Sequence, residues 1–150
     1  MEGTYPASCE EAEVIICYCS DSRFQEAIIT YILKILGLVY GKFFPVVLRG
    51  GPTPLAYPKK KPKDFSSLFN DQILFFLKHA PKVKKIILIG HEDCKYYQTF
   101  PFTNRVDRDK EDLVRAVKNL GILLPSMPVE AYYVRFADGN PAETIFERIV

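Results

Sequence analysis

The sequence predicts an α/β domain, a mainly parallel central β-sheet flanked by helices, spanning residues 1–150 as one domain. Three observations lead there. Short, nearly unbroken apolar runs, such as Val14-Ile15-Ile16-Cys17-Tyr18 and Ile86-Ile87-Leu88-Ile89, read as strands buried on both faces. Longer stretches with helical spacing lie between them. The two kinds alternate along the chain, the order that strand–helix–strand units with parallel pairing produce. There is no internal repeat and no break in composition, and a chain that is 48% apolar over 150 residues can bury a sizeable core.

The elements follow in order. Residues 13–19 form the first strand, around the run Val14 to Tyr18. Phe24 to Leu36 reads as a helix, stopped by Gly37. Lys42 to Leu48 is a second strand; Pro45 inside it lacks an N–H and points to an edge, a bulge or a later start. Residues 50–63, rich in Gly, Pro and Lys, form a loop. Asp64 or Ser66 caps a helix running to about His79, with Leu68, Phe69, Ile73, Phe76 and Leu77 on its apolar face. Lys84 to Gly90 is the clearest central strand. Asp107 or Asp109 starts the next helix, which ends near Leu120-Gly121. Val129 to Phe136 is a further strand. After the Asp138-Gly139 turn signal, Thr144 to Val150 returns as a short edge strand, with a terminal helix as the alternative.

Composition narrows the function. A formal net charge of +2 gives no general argument for nucleic-acid or membrane-surface binding, and Lys59-Lys60-Lys61 with Lys63 reads as an exposed loop. Residues 1–8 show no secretory pattern, and no apolar run approaches the ~20 residues that span a bilayer. The expectation is a cytoplasmic protein. Its four cysteines, Cys9, Cys17, Cys19 and Cys94, then stay reduced, which favours metal or redox chemistry over disulfides.

The chemistry concentrates in Cys19-Ser20-Asp21-Ser22-Arg23 and His91-Glu92-Asp93-Cys94. Each follows a strand that should end at the carboxyl rim of the sheet, where ligands bind in open α/β folds. Two cysteines and one histidine make a three-ligand zinc set with a fourth position open, as in catalytic sites. Cys-x-Asp-x-Arg after the first strand, then His-x-x-Cys after a later one, resembles the β-class carbonic anhydrases over roughly Val14 to Tyr97. That resemblance implies zinc (Zn2+) held by Cys19, His91 and Cys94, and a carboxylate–guanidinium dyad of Asp21 and Arg23. It also implies reversible hydration of CO2 to bicarbonate, and a homodimer or higher homo-oligomer. Zinc makes water nucleophilic near neutral pH, Asp21 orients that water, and Arg23 keeps Asp21 ionised.

The chain departs from the family in places. Lys95 stands where small members have glycine, and Leu48-Arg49-Gly50-Gly51-Pro52 stands where Arg-Asn-Ala-Gly is common. The helical arm that precedes the first strand of longer relatives is not expected. Lys95 is expected to crowd the pocket or to attract anions.

The remaining candidates have simpler readings. Cys17 is expected to turn away from Cys19 as a small core residue, and Cys9 is incidental. His79 reads as a surface or capping residue, and Glu92 and Asp93 as solvated or supporting groups. Phe69, Phe75, Phe76 and Tyr97 are candidates for pocket or interface surface, with core packing the default. Two alternatives stay within the zinc reading: hydrolysis of carbonyl sulfide or carbon disulfide, and a non-catalytic zinc module. A third, a cysteine-phosphatase loop from Cys17-x5-Arg23, lacks the glycines that let backbone N–H groups cradle phosphate.

Overall fold

The computed structural model describes residues 11–57, 65–99 and 108–150, together with Thr4 and Ala7. Five strands form one sheet: β1 (Val14–Cys19), β2 (Phe43–Leu48), β3 (Lys85–His91), β4 (Val129–Ala137) and β5 (Asn140–Arg148), in the order β2-β1-β3-β4-β5. β1 pairs in parallel with β2 and β3, and β3 with β4; only β5 runs antiparallel. All six residues of β1 are buried, which is why the run is apolar without alternation.

The order has one consequence for function. From β1 the chain steps outward to β2, then returns to place β3 on the other side of β1. The carboxyl ends of β1 and β3 therefore flank a switch in strand order, where an open α/β sheet leaves a crevice. Cys19 is the last residue of β1 and His91 the last of β3.

Helix α1 (Gln25–Thr30) covers one face of the sheet, where Ile16, Ile87 and Ile89 meet Phe24, Ile28 and Ile32. Helices α2 (Phe65–His79) and α3 (Arg108–Leu123) cover the other, where Ile15, Cys17, Ile86 and Leu88 meet Ile73, Leu113, Ala116 and Leu120. This is the period-two division of a two-sided strand. Cys17 belongs to the α2/α3 side, as does Cys19, which shares a cavity with Leu113 of α3. The expectation that the two cysteines face apart is corrected. Residues i and i+2 of a strand share a face, and Cys17 is sequestered because helices cover it, with burial raising its thiol pKa.

Other expectations shift at element ends. The stretch expected as one helix over 24–36 is three pieces: a 3-10 turn (Ser22–Phe24), α1, and a π-helical turn (Tyr31–Ile35), closed by Gly37 at φ 65°. The N–H of Leu36 bonds the carbonyl of Tyr31, five residues back, which widens the last turn. β2 is an edge strand, so Pro45 is accommodated. In α2, Ile73 is buried and Phe76 stacks on Phe44, but Leu68 is 54% exposed, so it does not belong to the packed face. The capping role of Asp64 and the side chain of Phe69 lie outside the described residues, as do Cys9, Asp107 and the Lys59–Lys63 cluster. α3 runs past Gly121 to Leu123. β5 begins at Asn140 rather than Thr144, because Gly139 (φ 76°) closes the turn early; the terminal-helix alternative is not realised.

Candidate metal centre

Beyond His91 the chain must reverse to bring Cys94 under the end of β3. Asp93 makes this possible by adopting a left-handed conformation (φ 50°), the only non-glycine among the described residues to do so. A 3-10 turn (Lys95–Thr99) follows, tied back by the N–H of Tyr97 to the carbonyl of Cys94 at 3.0 Å. Cys19, His91 and Cys94 are all buried, and their ligating atoms lie within 4.8 Å of one another. The two sulfurs are 4.0 Å apart and unbridged. Two thiolates about 2.3 Å from a tetrahedral zinc ion would sit about 3.8 Å apart, so the spacing fits one ion.

His91 supplies the sharper indication. It is 2% exposed, and its Nδ1 lies 2.8 Å from the carbonyl of Glu92. Nδ1 must donate there, which leaves the Nε2 lone pair free. Nε2 is the only buried side-chain nitrogen or oxygen among the described residues without a hydrogen-bond partner. A buried orphan nitrogen beside two sulfurs is what a metal ligand looks like before metal is counted. As a bare pair the two sulfurs lie close enough for one thiol to donate to the other. Cys94 first, against the penalty of burial, holds the Cys19 thiol below its ordinary range. Cys19 in turn pushes Cys94 up, and burial adds to it. A dication would take both as thiolates. These residues suit zinc.

Asp21 and Arg23 form a fork. Arg23 Nε donates to Asp21 Oδ1 at 3.1 Å and Arg23 Nη2 to Oδ2 at 2.8 Å. Oδ1 also accepts the Arg23 backbone N–H at 3.0 Å, capping the 3-10 turn. Arg23, against the penalty of burial, lowers Asp21 to about 2. Gln25, which the sequence did not single out, donates to the carbonyls of Cys19 (2.8 Å) and Asp21 (2.9 Å) and so fixes the link between them.

Two glycines make room. Gly51 sits at φ +52°, and a Cβ there would come within 2.9 Å of the Cys19 nitrogen; at Gly50 (φ +79°) it would strike the Tyr96 ring at 2.5 Å. Lys95 is exposed and absent from the cavity wall, so the expected crowding does not arise. Tyr97 is the aromatic candidate that does reach the site, whereas Phe75 is exposed and Phe76 belongs to the core.

The three candidate ligands open on a cavity of about 10 Å3, room for one water or ion, walled by Thr53, Tyr97, Asp109 and Leu113. Asp109 was legible only as a helix start. Burial raises its carboxyl to about 6, while the nearby His91 and a Tyr133 hydrogen bond oppose that rise. Burial likewise pushes the Tyr97 phenol up, so its hydroxyl stays a donor. His79 is exposed at the end of α2, against Phe75, and takes no part.

No family model matches the sequence, and no curated protein matches it. Solved structures do. The β-carbonic anhydrase isoform I of Trichomonas vaginalis aligns over 99% of this chain and 88% of its own, at 13% identity and a TM-score of 0.62. The β-carbonic anhydrase CcaA aligns over 91% and 74%, at 14% identity and 0.55. The β-carbonic anhydrase CafD of the filamentous fungus Aspergillus fumigatus aligns over 93% and 90%, at 14% identity and 0.52. The class the architecture defines is therefore the β-carbonic-anhydrase fold. Within that fold, this chain carries a buried Cys–His–Cys group able to hold a metal ion. Among the described residues, no helix is long and apolar enough to cross a membrane.

Proposed function

We propose that this protein is a divergent β-class carbonic anhydrase that uses zinc to hydrate CO2 reversibly to bicarbonate. The observation that carries the reading is the unpartnered Nε2 of His91, aimed among the Cys19 and Cys94 sulfurs at the switch in strand order. Cys19, His91 and Cys94 would hold the ion, leaving one position for water or substrate. When bound, zinc supplies the Lewis acidity that makes water nucleophilic near pH 7.

The protein's own groups do the rest. Asp21 would accept a hydrogen bond through its carboxylate from a water held there, and so orient it. Arg23 keeps that carboxylate an acceptor by holding it ionised from two sides. The Glu92 carbonyl fixes the His91 tautomer. Leu113, over Gly90, and Tyr97 limit water in the small cavity beside the candidate ligands. The same reading carries a cytoplasmic protein and a homodimer or larger assembly, which light scattering checks.

The deciding experiment pairs elemental analysis of the purified protein with stopped-flow CO2 hydration. One zinc per chain and hydration well above the buffer rate are expected. Full zinc loading with hydration at the buffer rate would overturn the activity and leave a zinc module. Fast hydrolysis of carbonyl sulfide or carbon disulfide with slow CO2 hydration would reassign the substrate.

A further inference from the structure

On α3, one turn beyond Asp109, a second carboxylate is buried behind the metal centre. Asp112 is 1% exposed, yet it does not line the cavity at the candidate ligands. It accepts hydrogen bonds from Tyr57 Oη at 2.7 and 2.9 Å and from Tyr97 Oη at 3.1 Å. Arg115 lies 3.3 Å from it, and Arg108 3.7 Å. The two tyrosines lead to different places. Tyr57 ends the 3-10 turn Thr53–Ala56, with the guanidinium groups of Arg108 and Arg115 within 6 Å of its ring. Tyr97 packs against Cys19 and Cys94 and walls the cavity, and its N–H holds the Cys94 carbonyl. Thr53 Oγ1 donates to the Tyr97 oxygen at 3.2 Å, so this hydroxyl sits between a donor and the Asp112 acceptor.

We propose that Asp112 is a positioning residue of the metal centre: by accepting from Tyr97 it fixes the ring that backs Cys19 and Cys94, and so slows loss of the ion. The inference rests on the zinc reading above. Its physical basis is directional. Apolar packing alone lets the Tyr97 ring slide, whereas a hydrogen bond to a carboxylate buried in an Arg-lined site, here at 3.1 Å, ties its hydroxyl to one point on α3. Burying a charge is unfavourable unless it is fully paired, and this one is paired from four side chains. A network that only joined α3 to the turn at Thr53 would not need the arm that reaches the sulfurs.

The two tyrosines separate the roles. Tyr97→Phe and Tyr57→Phe each remove a hydroxyl that donates to Asp112, together with the bond it accepts, from Thr53 at Tyr97 and from Arg108 at Tyr57, and keep the ring. Each protein is loaded with zinc, and release to a colorimetric chelator is timed; thermal unfolding is followed in parallel. Tyr97→Phe is expected to release zinc about 10- to 100-fold faster, the range of supporting hydrogen bonds around metal ligands. Tyr57→Phe should release at the wild-type rate, though both variants lose comparable thermal stability. In cobalt-substituted protein, the thiolate-to-metal absorption should shift in Tyr97→Phe alone. Asp112→Asn should follow Tyr97→Phe; if it fails to fold, the tyrosine pair still decides. Zinc release at the wild-type rate in Tyr97→Phe, or equal acceleration in Tyr57→Phe, overturns the inference while leaving the zinc reading intact. A wild-type chain that takes up no zinc overturns both.

Discussion

Arg23 joins the two motifs through Asp93. Its Nη1 donates to the Asp93 carboxylate at 2.9 Å and its Nη2 to the Asp93 carbonyl at 3.0 Å, while the Nε side of the same guanidinium holds Asp21. One planar cation therefore ties the loop after β1 to the left-handed turn between His91 and Cys94. Lysine, a point charge, cannot serve two acceptors in this fixed geometry. Arg23→Lys and Arg23→Ala should both retain a full equivalent of zinc and lower CO2 hydration by about 10- to 100-fold, the scale of lost supporting bonds at metal centres. Stopped-flow rates with metal analysis check this, and unchanged turnover in Arg23→Ala would remove Arg23 from the mechanism.

Cys19→Ala, His91→Ala and Cys94→Ala should each abolish stoichiometric zinc binding, because two remaining side chains do not complete the set. Metal bound only to the folded chain also adds stability, by about 2.7 kcal/mol at a hundred times the Kd. Chelation should therefore lower the Tm of the wild type and leave these three variants unmoved. A full equivalent of zinc in all three would refute the ligand assignment.

Gly51→Ala should be damaging out of proportion to its size. The backbone there is left-handed, which disfavours any side chain by about 1–2 kcal/mol, and the new methyl would press on the Cys19 nitrogen at 2.9 Å. The expected result is a loss of at least that stability in denaturant titration, with weaker zinc affinity because the end of β1 moves. Wild-type stability and affinity together would show that the loop relaxes freely.

The opposite end of the sheet contributes to the acid limit. Glu13 accepts from Lys84, the leading interaction, and from Lys42 at 3.1 Å, and these lysines hold its pKa at about 2 against an ordinary 4.5. Below its unfolded pKa the unfolded chain takes up a proton that the folded chain resists. The contribution of Glu13 is thus fully present above about pH 4.5 and is lost as pH falls toward 2. Glu13→Gln should flatten the fall in stability across that window and change little in its slope above pH 5. Urea unfolding at a series of pH values tests this, and an unchanged acid slope would contradict it.

Much of this was legible in the chain because it depends on near neighbours. The apolar runs of β1 and β3, Pro45 at a sheet edge, Gly37 closing a helix, and the two motifs at strand ends all follow from local periodicity and backbone chemistry. The shared side of Cys17 and Cys19 was also available from strand parity. Misplaced boundaries had local causes too, such as the π-helical turn at Tyr31–Ile35 and the early hairpin at Gly139.

The sequence by itself determined an alternating α/β chain with Cys, His, Cys, Asp and Arg placed just where its strands stop. The tertiary structure alone decided that β3 lies beside β1, and hence that sulfurs 75 positions apart come to 4.0 Å. It also decided that Asp109 and Tyr97 wall the cavity beside them, that Asp112 accepts from Tyr97, and that Gln25 holds the carbonyls of Cys19 and Asp21. No spacing rule encodes those four. Each has a partner on another element, and burial in a common space, where polar groups seek donors and acceptors, selects which side chains meet.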